Sequence, residues 1–452
     1  MNEDTYLSLD AQKVILFLSP LHPYLYYLPY NVDLTSTTLP LKTMLTLELT
    51  KVGGEIIEKI YEPLTFAQMI DFFSKKYLED KKKVRENIVN FLSQLKKFGI
   101  STISYKEKKI ENKLEKLGSW EFIVPRGMEL EITNNCNFHC KHCYNHSGEG
   151  ENLLELSKEE TASFFKEIFE LGTRTLEITG GEPSTHHSFN DILEEAMSYD
   201  FEIIGILSNG SNFSETTFEI LKKNKEKVMV QIDLHGSSHK YMEWFTGHTQ
   251  SYQLAMKTIE RLTNLGIVVR IACSVTPQNV TQMKEIATIG YNLGAAAVAF
   301  GPIAPIGRAK DRNDLILSYN EKAYNTFISN MEELIKKYGS SFINVIDAQA
   351  QASTNCGVGS TGLVIASNLD VRLCQMSDVI IGNIKSYNGS IKNLLRNNAK
   401  VLEKISQTPA PNFDICRECE DFWFCSSCMA RGFIKAKERG ENCKWIQQIK
   451  TL

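Results

Sequence analysis

The sequence predicts an α/β chain in which a parallel sheet curls into a partial barrel, preceded by a small α+β module and followed by a cysteine-rich tail. Three observations carry this expectation. Strand and helix patterns alternate six times between residues 128 and 337, short β-branched runs and two amphipathic helices come before them, and seven cysteines lie beyond residue 340. Alternating strand and helix argue for a parallel sheet with crossover helices.

In chain order, residues 11–50 hold short apolar runs broken by Pro20, Pro23, Pro29 and Pro40, which read as short strands and turns. Phe66, Met69, Ile70, Phe73 and Tyr77 recur at helical spacing beside Thr65, a fitting N-cap. Val84, Ile88, Phe91, Leu92 and Leu95 repeat the pattern, and Gly99 stands where that helix would stop. Residues 106–117, KEKKIENKLEKL, are dominated by charge and read as a solvated linker or connecting helix. The expected units are therefore 1–107, a linker over 108–126, a barrel over 127–337, and a tail over 338–452.

Within the barrel, strands are expected at 128–133, 175–179, 202–207, 228–234, 267–275 and 296–301. Helices are expected near 157–171, 188–199, 213–224, 250–265, 280–293 and 320–337. Such folds place their chemistry on the loops after the C-terminal strand ends.

Composition narrows the function. A formal charge of −4 gives no bulk attraction for nucleic acid. The N-terminus lacks a basic n-region, and Val14–Leu18 is too short for a signal core or a membrane span, so a cytoplasmic protein is expected. In a reducing compartment, eleven cysteines point to metal or redox chemistry rather than disulfides.

Cys136-x3-Cys140-x2-Cys143 puts three thiols on the loop after the first barrel strand. Three ligands leave one iron of a tetra-iron cluster open; alternatively, His139, His142 or His146 could complete a zinc site. The next strand ends in Gly180-Gly181-Glu182-Pro183, where paired glycines allow close backbone approach. Together the two motifs resemble the radical S-adenosylmethionine (SAM) superfamily over roughly residues 126–337. That resemblance implies a [4Fe–4S] cluster on Cys136, Cys140 and Cys143 whose open iron chelates SAM. It further implies that Gly180, Gly181 and Glu182 meet the cofactor's amino group and that His142 lies against adenine. Ser208 and Asp233 fall where the family contacts the nucleoside or methionine part. The chain departs from the family at Asp233-Leu234-His235-Gly236 and at Thr246-Gly247, where an Arg-Gly pair is usual. Arg270 is the residue that could replace the missing arginine, or it could be an ordinary barrel-mouth arginine.

The tail reads Cys356-x17-Cys374, then Cys416-x2-Cys419-x5-Cys425-x2-Cys428, then x14-Cys443. CxxC pairs alone permit a zinc ribbon, but seven cysteines exceed one zinc site and fall one short of two. The order resembles the SPASM extension, with Leu369 replacing a common turn glycine. This resemblance implies auxiliary cluster I on Cys356, Cys374 and Cys428, and auxiliary cluster II on Cys416, Cys419, Cys425 and Cys443. That makes three [4Fe–4S] clusters in all. One iron of auxiliary cluster I stays open, and a substrate cysteine is its expected ligand. Cys273, inside the apolar strand VVRIACSV, reads as a buried small hydrophobe.

Residues 40–100 resemble the PqqD-like, winged-helix-like element that binds a precursor peptide's leader, with Thr50-x3-Gly54-x-Ile56 placed before the first helix. The whole architecture resembles maturases of ribosomal peptides that install sulfur-to-carbon thioethers, the sactipeptide and ranthipeptide (SCIFF) synthases. The implied partners are a Cys-containing precursor peptide and an external electron donor such as flavodoxin or ferredoxin, without nucleic acid or membrane. Rival readings are a carbon–carbon crosslinking, epimerising or decarboxylating peptide maturase and an anaerobic sulfatase maturase. Against the last, Gln375 stands where that enzyme carries an aspartate base.

Overall fold

The computed structural model describes residues 4–9, 11, 13–28, 45–98, 100, 103–106, 114–148, 153–345 and 355–451. The chain forms two compact units, Met1–Val124 with Glu170–Gly172, and Pro125–Phe169 with Thr173–Leu452.

In the first unit, β1 (Tyr6–Leu9) pairs antiparallel with β5 (Ile103–Lys106). A four-stranded sheet runs β4 (Leu45–Glu48), β3 (Tyr24–Leu28), β2 (Lys13–Leu18), β6 (Glu115–Gly118). Among the described residues three helices accompany it, not two. The Phe66–Tyr77 helix opens on a capping box between Thr65 and Gln68, and Lys81–Lys97 follows an Asp80 cap. The extra helix, Lys51–Ile60, swallows the segment expected before the first helix: Thr50 is its N-cap, and Gly53, Gly54 and Ile56 lie inside it. Glycines usually weaken a helix, but a Cβ at Gly53 would meet the Phe91 ring at 2.9 Å and one at Gly54 the Trp120 ring at 2.8 Å. Their smallness lets this helix pack closely.

The charged run also ends otherwise than as a linker or helix. Glu115–Gly118 joins the sheet in parallel with β2 and leaves residues 107–113, with Gly99, outside the described residues.

Among the described residues the second unit is built on one sheet of ten strands. Its parallel core is β7 (Gly127–Thr133), β8 (Thr175–Gly180), β9 (Ile203–Ser208), β10 (Val228–Asp233), β11 (Val268–Val275) and β12 (Ala297–Pro302), in that spatial order. The helices between them fall where expected, with one more at His239–Thr246. Alternation along β10 shows how the sequence sorts its faces: Val228, Val230 and Ile232 are buried, whereas Met229, Gln231 and Asp233 share the other face. The sheet continues past the expected six strands. β13 (Ile343–Val345) adds in parallel to β12, and β14 (Gly362–Ile365) adds in parallel to β7. β15 (Asp370–Arg372) and β16 (Ile380–Asn383) then extend it as antiparallel strands.

Leu369, in the turn between β14 and β15, holds φ at +71° and is buried. A leucine thus takes the left-handed geometry that glycine usually supplies, and burial of its side chain offsets the strain. After β16 the tail is short helices over a small apolar set that includes Leu394, Leu402, Met429 and Trp445. No helix among the described residues is long and apolar enough to cross a membrane.

Candidate active site

A cavity of about 210 Å³ opens at the C-terminal ends of the parallel strands. Cys136, Cys140 and Cys143 line it together with His142, Gly180, Gly181, Ser208, Asp233 and Arg308. The cysteine loop follows β7 directly, so strand order sets its place.

Two glycines make this placement possible. A Cβ at Gly181 would sit 2.0 Å from the Asn135 carbonyl oxygen, and one at Gly180 would sit 2.3 Å from that of Thr133. Their bare backbones let β8 lie against the cysteine loop, where the Gly181 N–H donates to Thr133 O and the Glu182 N–H to Asn135 O, each at 2.7 Å. The same glycine pair both packs on the loop and lines the cavity. Glu182 is fully buried and serves as a hub. Its carboxylate accepts from the Ser208 hydroxyl at 2.8 Å, the Asn209 N–H at 2.7 Å and the Ser184 N–H at 3.1 Å. Ser208 therefore reaches the cavity wall with its hydroxyl already committed.

The three thiols fit an iron–sulfur cluster by their chemistry. Burial pushes the Cys136 thiol up to about 12 and raises Cys140 as well, and neighbouring thiols add to both effects. Thiols so placed become thiolates only beside a strongly cationic centre. Arg308 supplies part of the opposing charge and pins the loop. Its Nε donates to Cys140 O at 2.7 Å, its guanidinium to Ser147 O at 2.9 Å and its N–H to Cys143 O at 2.9 Å. Gly307 before it has φ +52°, and a Cβ there would meet Cys143 O at 2.2 Å. Sequence reasoning missed Arg308; the Gly-Arg pair following β12 was the available signal.

His142 stacks on Phe245 with ring centroids 4.7 Å apart. Burial and the Arg308 charge hold its pKa down to about 4, and its Nδ1 has no hydrogen-bond partner. His235, in the departing Asp-Leu-His-Gly segment, meets both rings edge-on. It accepts the Ser274 N–H on Nδ1 at 3.1 Å, which leaves the proton of the neutral ring on Nε2, 3.9 Å from Asp233 Oδ2. Burial, with Glu182 nearby, lifts the Asp233 carboxyl to about 7 despite Arg270. Arg270 is an electrostatic neighbour of Asp233 and Glu177 but does not line the cavity.

Thr246, at the position of the expected Arg-Gly pair, is buried with its hydroxyl donating to Met242 O. Its carbonyl accepts the His139 N–H at 2.8 Å, so this position now braces the cysteine loop. His139 and His146 are not among the lining residues.

The tail cysteines fall into two groups. Cys374 has Cys428 and Cys356 as electrostatic neighbours, and burial pushes it up to about 12. Cys425, also raised to about 12 chiefly by burial, neighbours Cys419, Cys416 and Cys443. None of the eleven cysteines is in a disulfide. Cys273 is fully buried in β11 with its thiol toward the His235 and Ser274 carbonyls. Gln375 and Met376, just after Cys374, form part of the main cavity wall. Elsewhere, Glu155, His186 and His187 bring ligand atoms within 4.8 Å of one another. Both His186 nitrogens are nevertheless taken, by Leu156 O and the Ser188 N–H.

A partial barrel with three free thiols at its mouth, beside a glycine-lined strand end, defines a radical SAM enzyme, and residues 130–288 match the family model described as "Radical SAM superfamily". Such an enzyme uses SAM and a [4Fe–4S] cluster. The chain is 29% identical over 336 residues to the antilisterial bacteriocin subtilosin biosynthesis protein AlbA of Bacillus subtilis, covering 73% of each chain. It is 26% identical to the sporulation killing factor maturation protein SkfB of the same organism, covering 63% of this chain and 68% of that one. In fold it is similar to the crystal structure of Streptococcus suis SuiB bound to SAM, with TM-score 0.61 and 14% identity, covering 97% of this chain and 98% of that one.

Proposed function

We propose that this enzyme is a peptide maturase that forms intramolecular thioethers between cysteine sulfur and carbon in a ribosomal precursor peptide. The observation that carries this reading is the shared wall: the residues that follow Cys374 line the same cavity as Cys136, Cys140 and Cys143. A sulfur bound at the Cys374 group would thus stand close to a carbon presented in the cavity. Relatives named for bacteriocin biosynthesis and killing-factor maturation support a peptide as substrate.

When bound, the reduced cluster and SAM supply reductive cofactor cleavage and hydrogen-atom abstraction from the substrate. The chain's own residues hold the parts in place. Arg308 and the Gly180–Gly181 backbone fix the cysteine loop, and Asp233 offers a carboxylate acceptor at the cavity wall. His142 and Phe245 form a stacked apolar face against which adenine can lie. Cys356, Cys374 and Cys428 would hold auxiliary cluster I, and Cys416, Cys419, Cys425 and Cys443 auxiliary cluster II. Residues 1–107 would hold the peptide's leader, raising the local concentration of its core segment.

The test is co-expression with a short Cys-containing reading frame encoded beside this gene, followed by mass spectrometry. Each thioether removes two hydrogens from the peptide and protects one cysteine from alkylation. A product with its cysteines free and a carbon–carbon bond, an inverted centre or a lost carboxylate would replace this reading with one of its rivals.

A further inference from the structure

β7 carries two carboxylates on one face, Glu129 and Glu131, and both are buried. Each is gripped by a residue close to Cys374. Arg372, two positions before that cysteine, forms an ion pair with Glu131 Oε1. Gln375, one position after it, donates from Nε2 to Glu129 Oε2 at 2.6 Å. The same Glu131 oxygen accepts the Tyr144 hydroxyl at 2.9 Å. Tyr144 directly follows Cys143, and its ring lies 5.8 Å from the Arg372 guanidinium carbon. One carboxylate oxygen therefore joins the loop of the first cysteine group to the strand leading into the second.

This is an expensive way to gain stability. Glu129 Oε1, Glu131 Oε2 and Arg372 Nε are buried without hydrogen-bond partners. Buried ion pairs with unsatisfied atoms often stabilise less than an apolar packing of the same volume. What they do provide is a fixed geometry, because each charge is held only where its partner stands.

We infer that Glu131, with Tyr144 and Arg372, is a positioning device that couples the Cys136–Cys143 loop to the Cys356, Cys374 and Cys428 group. The inference rests on the proposal that the second group holds a cluster. Glu131 sets the distance and the local charge between the two cysteine groups, so a change on one side is felt on the other. A buried negative charge near a cluster disfavours adding an electron, so neutralising it should raise that cluster's midpoint potential.

The test uses the full chain, reconstituted anaerobically. In a Cys136→Ala, Cys140→Ala, Cys143→Ala background, where only the tail groups report, Glu131→Gln should raise one auxiliary midpoint potential and alter its electron paramagnetic resonance signal. The other auxiliary signal should stay unchanged. In the chain with all its cysteines, SAM affinity is read by calorimetry for Tyr144→Phe, Arg372→Gln and the double variant. Each single change should weaken binding about 3–10-fold, and the double should fall well short of the product of the two. Tyr144→Phe deletes a single hydroxyl, so it keeps the test valid if the charge variants fold poorly. Full iron content with unmoved potentials and multiplicative affinities would overturn the coupling alone. Iron confined to the Cys136 group in the unaltered chain would overturn both the coupling and the cluster reading beneath it.

Discussion

Replacing Gly181 with Ala should disable the cofactor site while leaving the rest of the sheet folded. The added Cβ would stand 2.0 Å from Asn135 O, a backbone atom that no rotamer change can move. Either β8 or the cysteine loop must withdraw by more than an ångström. That withdrawal strains the packing by about 1–3 kcal/mol. It also lengthens the two 2.7 Å bonds that Gly181 and Glu182 make to the end of β7 and to the loop, each worth roughly 0.5–1.5 kcal/mol. The combined effect is on the order of 2–6 kcal/mol, concentrated on the segment that presents Cys136. Iron content after reconstitution and SAM affinity by calorimetry are the readouts. Both should fall at least about tenfold, while circular dichroism stays close to that of the parent. Gly362→Ala, whose Cβ would meet nothing nearer than 3.8 Å, serves as the control and should change neither. A Gly181→Ala protein that loads iron and binds SAM like the parent would refute the account of why these glycines are there.

Three further outcomes are expected. Arg308→Ala removes the side-chain contacts to Cys140 O and Ser147 O, so iron should be lost faster to a chelator, with Arg308→Lys only partly restoring it because one ammonium cannot span both carbonyls. The Asp233 carboxyl sits at about 7, above its usual value, so in the ligand-free fold its proton is retained up to that pH. SAM is cationic and favours the carboxylate, so its affinity should fall as pH drops below about 7, and Asp233→Asn should flatten that profile in calorimetric titrations. Thr65→Ala breaks the capping box with Gln68 and should lower the stability of the first unit by about 1 kcal/mol in denaturant melts, without touching SAM affinity.

Much of the barrel was legible because its signals are local. Alternation such as Val228-Met229-Val230-Gln231 marks a strand, and amphipathic runs such as Phe66–Tyr77 mark a helix. The cysteine loop and the Gly180–Gly181 pair were legible for the same reason, since each is a contiguous motif. What stayed hidden depends on partners distant in sequence. Gly53 and Gly54 argue locally against a helix, and only the rings of Phe91 and Trp120 explain their presence in one. Arg308 reaches Cys140 across 168 residues, and no spacing rule announces that contact. Glu182 reads as a ligand-facing residue in its motif, yet Ser208 and Asn209 claim its carboxylate from the neighbouring strand. β14 shows only the four residues Gly362–Ile365, too few to reveal that they extend the barrel sheet.

That last pairing has a consequence for how the molecule is made. β14 completes the open side of β7, the earliest strand of the barrel, but it is synthesised after β8 to β13. Until Ile365 has left the ribosome, β7 presents an unpaired row of backbone donors and acceptors beside its apolar Met128, Leu130 and Ile132. Bare edges of this kind recruit other chains, and contacts between distant parts of a sequence form slowly. A chain cut off before β14 would keep every residue of the barrel motifs and still carry that open edge. It would be prone to self-association in the cell for a reason unrelated to iron or cofactor supply.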